Sequence, residues 1–154
     1  MREETLRALL ERVRAGERTV EQAVDQLRDL PFRDLGEAVL DSHRELRRGH
    51  PEVIYCAGKT VAQIKTLVAA MLDGDGDILA TRATEAMYRA VAEQHPAARY
   101  NRLGRVIVIQ RRERPLTETT IAIITAGTSD LPVAEEAAET ALLFGNRVER
   151  MTDV

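Results

Sequence analysis

The chain has 154 residues, 44% of them apolar and 31% charged, and its formal net charge of −3 is close to neutral. That balance is typical of a globular domain, and it argues against a dedicated nucleic-acid binder, which would show a basic excess. Three Tyr, two Phe and no Trp leave no platform for stacking single strands.

Residues 2–15 and 19–30 have the periodicity of two short helices, with Leu6, Leu9, Leu10 and Val13 on one face of the first. Gly16 ends that helix, and Thr19 with Gln22 forms a capping box for the second. Leu30-Pro31-Phe32 closes the pair. Residues 38–40 read as a strand or a short helix, and 43–48 as a polar turn or short helix ending at Gly49. A buried strand at 53–57, a helix at 59–72, a turn at 74–77, a strand at 77–81 and a helix at 84–94 follow. Residues 100–103 and 105–110 suggest a hairpin around Gly104. The charged, Pro115-containing stretch 111–118 is the best linker. Beyond it come a strand at 119–125, a helix at 132–144 closed by Gly145, and a strand from about 146.

These patterns predict an α/β fold. A helical hairpin at 1–33 precedes a small α/β domain with a partly parallel sheet at 34–112. A linker at 113–118 then leads into 119–154, the incomplete βαβ start of a flavodoxin-like parallel-sheet domain. A doubly wound domain needs about 100–150 residues, so the chain reads as truncated at Val154. No run approaches a membrane span, and the charged N-terminus shows no signal peptide. A single cysteine, Cys56, rules out an internal disulfide and suits the cytoplasm.

The most informative segment is 120–145. Ile121 to Ile124 reads as a strand covered on both faces, and Gly127-Thr128-Ser129-Asp130 offers two hydroxyls and a carboxylate at a helix start. Such a start holds phosphate in many α/β proteins, but Ser-Asp is also a common N-cap, and the pattern alone leaves both readings open. A second polar block comprises Asp41, His43, Arg44, Arg47 and Glu52, suited to binding, to a subunit contact or to structural ion pairing. Its spacing is not that of a metal site. Gly58-Lys59-Thr60 lacks the upstream glycine of a P-loop, although Lys59 has an anion within reach if one sits at the helix start. Cys56 reads as a buried inert thiol, and His50 and His95 each precede a proline in a loop. The arginines between 99 and 114 read as a solvated face or an interface, with a phosphate-facing patch as the alternative.

The string Ala126-Gly127-Thr128-Ser129-Asp130-Leu131-Pro132-Val133-Ala134-Glu135-Glu136-Ala137 resembles the start of the carboxylase domain of the LarB family of nickel-pincer-nucleotide biosynthesis proteins. It is more loosely similar to a loop of the aminoimidazole ribonucleotide carboxylase/mutase family. Leu35-Gly36, the block from Asp41 to Ile54, Gly58-Lys59-Thr60 and Thr81-Arg82-Ala83 fall in the LarB order and spacing, so the resemblance covers nearly the whole chain. Where the purine enzymes have Gly-Ser this chain has Ala126-Gly127, leaving Thr128 to supply that hydroxyl, and Ala57 stands where the LarB family often has an acid.

The resemblance implies carboxylation of the pyridinium ring of nicotinic acid adenine dinucleotide, with CO2 as co-substrate, and hydrolysis of its phosphoanhydride to release AMP. Ser129 would donate to a phosphate and Asp130 would accept from ribose or position a catalytic group. The nucleophilic cysteine is expected beyond Val154, so no catalytic residue is assigned here and the chain alone is expected to be inactive. No protein-held metal is assigned, and Mg stays open as a cofactor. The expected partners are that dinucleotide or a related nucleotide and further copies of the chain, with no nucleic acid and no membrane. The alternatives are a non-catalytic α/β assembly or nucleotide-binding module, and a relative of the purine-biosynthetic carboxylases.

Overall fold

The computed structural model describes residues 3–27, 32–34, 39–41, 44, 49–74 and 76–154. The expectations for Leu35, Gly36, His43 and Arg47 lie outside these residues. The chain divides into two compact units, one comprising 1–52 with 74–76, the other 53–73 with 77–154.

The first unit contains α1 (Glu3–Arg14) and α2 (Val20–Leu27). Thr19 accepts from the Gln22 backbone N–H at 3.2 Å while the Gln22 side chain accepts from the Thr19 N–H at 3.1 Å, so the capping box forms. Phe32, expected to close the helical pair, instead begins a strand. β1 (Phe32–Asp34) pairs antiparallel with β2 (Val39–Asp41), so Val39 and Leu40 lie in a strand and not in a helix.

The second unit has a four-stranded sheet in the order β3-β4-β6-β5, built from β3 (Val53–Tyr55), β4 (Ile78–Thr81), β5 (Arg99–Asn101) and β6 (Val106–Ile109). β3 and β4 are parallel, joined by α3 (Val61–Leu72), and β6 runs antiparallel to both β4 and β5. The expected hairpin around Gly104 is therefore present. Every residue of β4 and β6 is buried. Alternation sends Leu79, Val106 and Val108 to one face, where they pack with Leu143, Val53 and Phe144. Ile78, Ala80, Ile107 and Ile109 point the other way, toward the layer of α3 and α4 (Glu85–Ala92).

Leu143 belongs to α5 (Leu131–Leu143), which links β7 (Thr120–Thr125) to β8 (Arg147–Thr152) in a parallel βαβ unit. One face of α5 thus serves the core of the four-stranded sheet. β7 was expected to be covered on both faces, but Ile121 is 42% and Ile124 61% exposed. The physical reason is that, among the described residues, β8 is its single strand neighbour and α5 its main cover.

Residues 111–118 have no regular secondary structure but are fastened at several points. The buried Asp77 carboxylate accepts from the Arg111 backbone N–H at 2.8 Å and pairs with Arg114 at 3.2 Å. Thr117 N–H donates to the Gly145 carbonyl at 2.9 Å. Among the described residues no helix is long and apolar enough to cross a membrane.

Candidate functional site

β7 delivers the chain to its carboxyl end at Thr125, and a 3-10 turn at Thr128–Asp130 leads into α5. Pro132 fits the first turn because no intrahelical N–H is needed there. The side chains of Thr128, Ser129 and Asp130 are exposed. Asp130 occupies the N-cap position of α5 without making a side-chain cap bond, and the N-cap of the 3-10 turn is Gly127, which has no side chain. The hydroxyls and carboxylate are thus not spent on capping, and they stand at the positive end of a 13-residue helix. Just upstream, Thr125 is only 7% exposed and its hydroxyl oxygen has no hydrogen-bond partner.

The position of this loop depends on how α5 is held, and the holding residues are not evident from sequence motifs. Asn101, at the end of β5, accepts from the Gly104 N–H at 2.9 Å and donates to Glu135 at 2.8 Å and Glu139 at 3.1 Å. Glu135 also receives Arg150 at 2.8 Å, Glu136 pairs with Arg82 at 2.7 Å, and Glu139 pairs with Arg99 at 3.5 Å. Gly104 is a close-approach position. A Cβ there would stand 2.9 Å from the Glu136 nitrogen and 3.0 Å from the Glu135 carbonyl carbon, both helix backbone. Partial burial pushes the Glu135 carboxyl up, but the Arg150 and Asn101 hydrogen bonds and the Arg150 charge outweigh it, and it sits below its ordinary value.

In the other polar block, Arg44 pairs with Glu52 at 3.6 Å, and the second Glu52 carboxylate oxygen is buried without a partner. Asp41 ends β2 and is half-buried. Among the described residues no group of three or more His, Cys, Asp or Glu side chains is arranged to hold a metal ion.

Cys56 is 0% exposed, and burial pushes its thiol up to about 11 against the opposing pull of the Lys59 and Arg105 charges. A thiol so placed is a poor nucleophile at neutral pH. Lys59 is half-buried and follows Gly58, whose φ of +81° closes a turn in which the Lys59 N–H reaches the Cys56 carbonyl at 3.0 Å. Thr60 and Gln63 then cap α3 reciprocally. Arg82 and Arg105 both adopt left-handed backbone, φ 56° and 55°, which costs a non-glycine residue on the order of 1 kcal/mol.

Fold and loop together define an α/β protein that presents an uncapped helix start at the carboxyl edge of a parallel strand pair. Residues 32–112 match the family described as the LarB/PurE-like N-terminal domain, and the chain belongs to that family. It thereby falls among carboxylase/mutase-related proteins. It is also 29% identical, over 96% of its length, to an uncharacterized protein of Methanocaldococcus jannaschii. The chain spans 59% of that relative's length.

Proposed function

We propose that this chain supplies the nucleotide-holding part of an enzyme that carboxylates the pyridinium ring of nicotinic acid adenine dinucleotide and hydrolyses its phosphoanhydride, in nickel-pincer cofactor synthesis. Family membership supports the reaction class. The observation that carries the assignment of the loop is that Asp130 and its neighbours make no side-chain cap bond at α5. In this reading Ser129 and Thr128 donate hydroxyl hydrogen bonds to phosphate oxygens, the α5 dipole adds to them, and Asp130 accepts from a ribose hydroxyl. The chemistry needs a thiolate that adds to the pyridinium ring, leaving an enamine-like carbon to attack CO2, after which that carbon gives up its proton and the thiolate is expelled to restore the aromatic ring. Cys56 is unsuited to that role because it is sealed in the core and held protonated. The thiolate therefore comes from outside these residues, and the chain alone binds without turning over. The working enzyme in this reading is a homo-oligomer of the cytoplasm.

The test combines calorimetric titration of the chain with nicotinic acid adenine dinucleotide and an assay of labelled bicarbonate incorporation and AMP release. Binding without turnover is expected. Ser129→Ala is expected to weaken binding by about 1–2 kcal/mol, one hydrogen bond to a charged group, while leaving stability unchanged. Unchanged affinity with a stability loss of about 1 kcal/mol would make the serine a cap instead. Turnover above a protein-free control would overturn the placing of the nucleophile elsewhere.

A further inference from the structure

The carboxyl edge of the four-stranded sheet gathers charge on residues other than those of the loop at Gly127–Asp130. β3 and β4 run parallel, so Gly58 and Arg82 both lie just past their carboxyl ends. β6 runs against β4, so Arg105, just before β6, comes to the same edge, and the Ala83 N–H donates to the Arg105 carbonyl at 2.8 Å. All three residues have positive φ. Left-handed backbone at three converging connections, two of them arginines, shows an edge whose loops are held in unfavourable geometry by their surroundings. The carboxyl edge of parallel strands is where open α/β sheets take ligands.

The charges there do not cancel. Arg82 is matched by Glu136, and Glu85 is shared by Arg89 and Arg102. Lys59 and Arg105 have no carboxylate partner among the described residues. The Cys56 N–H donates to the Thr81 carbonyl at 2.9 Å and the Lys59 N–H to the Cys56 carbonyl at 3.0 Å, so the turn that carries Lys59 lies against the end of β4, where the Ala83 N–H holds the Arg105 carbonyl. The Arg105 guanidinium is oriented by the Ala83 carbonyl at 3.3 Å and the Arg82 carbonyl at 3.4 Å. A guanidinium has five N–H donors, so Arg105 retains donors beyond those two bonds. The Tyr100 hydroxyl, donating to the same Ala83 carbonyl at 3.0 Å, stiffens that loop from the other side.

We propose that Lys59 and Arg105 form an anion site at the carboxyl edge of β3 and β4, built for a phosphate group and made of residues other than those of the loop at Gly127–Asp130. Lys59 supplies a point charge and Arg105 a directional pair of donors, the combination that recognises a tetrahedral oxyanion. The ligand is a small phosphate-bearing molecule, either free phosphate or a nucleotide's phosphate. The site does not depend on the proposed carboxylation and stands or falls separately from it.

The experiment titrates the labelled full chain with inorganic phosphate, AMP and adenosine, following backbone amides by NMR. Saturable shifts at Gly58, Lys59, Ala83 and Arg105 are expected with phosphate and with AMP and not with adenosine. Tighter binding of AMP than of phosphate identifies a nucleotide as the source, and equal binding identifies free phosphate. Lys59→Gln and Arg105→Asn are each expected to weaken binding about tenfold, the second chosen because Asn tolerates left-handed backbone. Lys59→Arg is expected to retain binding, which separates lost charge from lost structure, and Ser129→Ala is expected to leave these shifts unchanged. Shifts that fail to saturate at millimolar phosphate, or that survive both charge-removing substitutions, would overturn the proposal.

Discussion

Two strands carry nearly the same message and meet opposite fates. Val106-Ile107-Val108-Ile109 in β6 and Ile121-Ala122-Ile123-Ile124 in β7 are both apolar and dominated by β-branched residues. In β6 all four residues are buried, whereas Ile121 and Ile124 in β7 are exposed. β6 lies between β4 and β5 with helices over the sheet, while among the described residues β7 has β8 alone beside it. A continuous apolar run records the cover a strand is suited to, and its neighbours decide how much of that cover it receives.

The largest test of that contrast is a pair of truncations. Leu79→Ala or Ile107→Ala in the sheet core is expected to cost about 3 kcal/mol, from lost transfer energy plus a cavity. Ile121→Ala or Ile124→Ala is expected to cost less than about 1 kcal/mol in the same urea titration. Equal losses would show that these side chains are covered in solution, as packing against another copy of the chain would do.

Gly104→Ala probes the joint between the two regions. Its Cβ would press on helix backbone that cannot swing aside. An expected loss of about 1–3 kcal/mol should be accompanied by faster hydrogen exchange in α5 than in β6. Loss of protection in both to the same extent would mean that the two regions open as one.

A smaller effect belongs to pH. The Cys56 thiol is raised from 9.0 to about 11 in the folded chain. The folded state therefore binds this proton more tightly, and its contribution is complete below pH 9 and lost as pH rises toward 11. Melting curves across that window should fall more steeply for the native chain than for Cys56→Ala. At the opposite end, the lowered Glu135 carboxyl stabilises the fold above its ordinary value of 4.5, and that contribution is lost as pH falls through the folded value. Glu135→Gln should flatten the acid limb, by less than about 1 kcal/mol because its Arg150 partner is partly exposed.

What was legible in the sequence follows from how far apart the cooperating residues lie. Thr19 and Gln22 declare their capping box because its members are three residues apart, and Thr60 with Gln63 has the same readable spacing. Alternation and helical periodicity mark β3 to β8 and α3 to α5 closely, since each period is set within a few residues. Asp77, which fastens Arg111 and Arg114, and Asn101, which holds Glu135, act across 34 or more positions and leave no local trace. Arg82 and Arg105 give no sign of left-handed backbone either, because arginine has no preference for it. At the loop, the residues Thr128 to Asp130 are evident, but Ser-Asp before a helix reads the same whether or not it caps. The structure alone shows their side chains unspent.

The register of the two strand pairs also sets an order of assembly. β5 and β6 close through a short turn between Asn101 and Val106, an event of microseconds. β7 and β8 can pair Thr120 with Arg147 only after the whole of α5 has been laid down between them. The surface that receives Leu143, formed by Leu79, Val106 and Val108, lies entirely upstream of β7. During synthesis the landing platform is thus complete before its helix emerges, and β7 and β8 are added to a base already laid down.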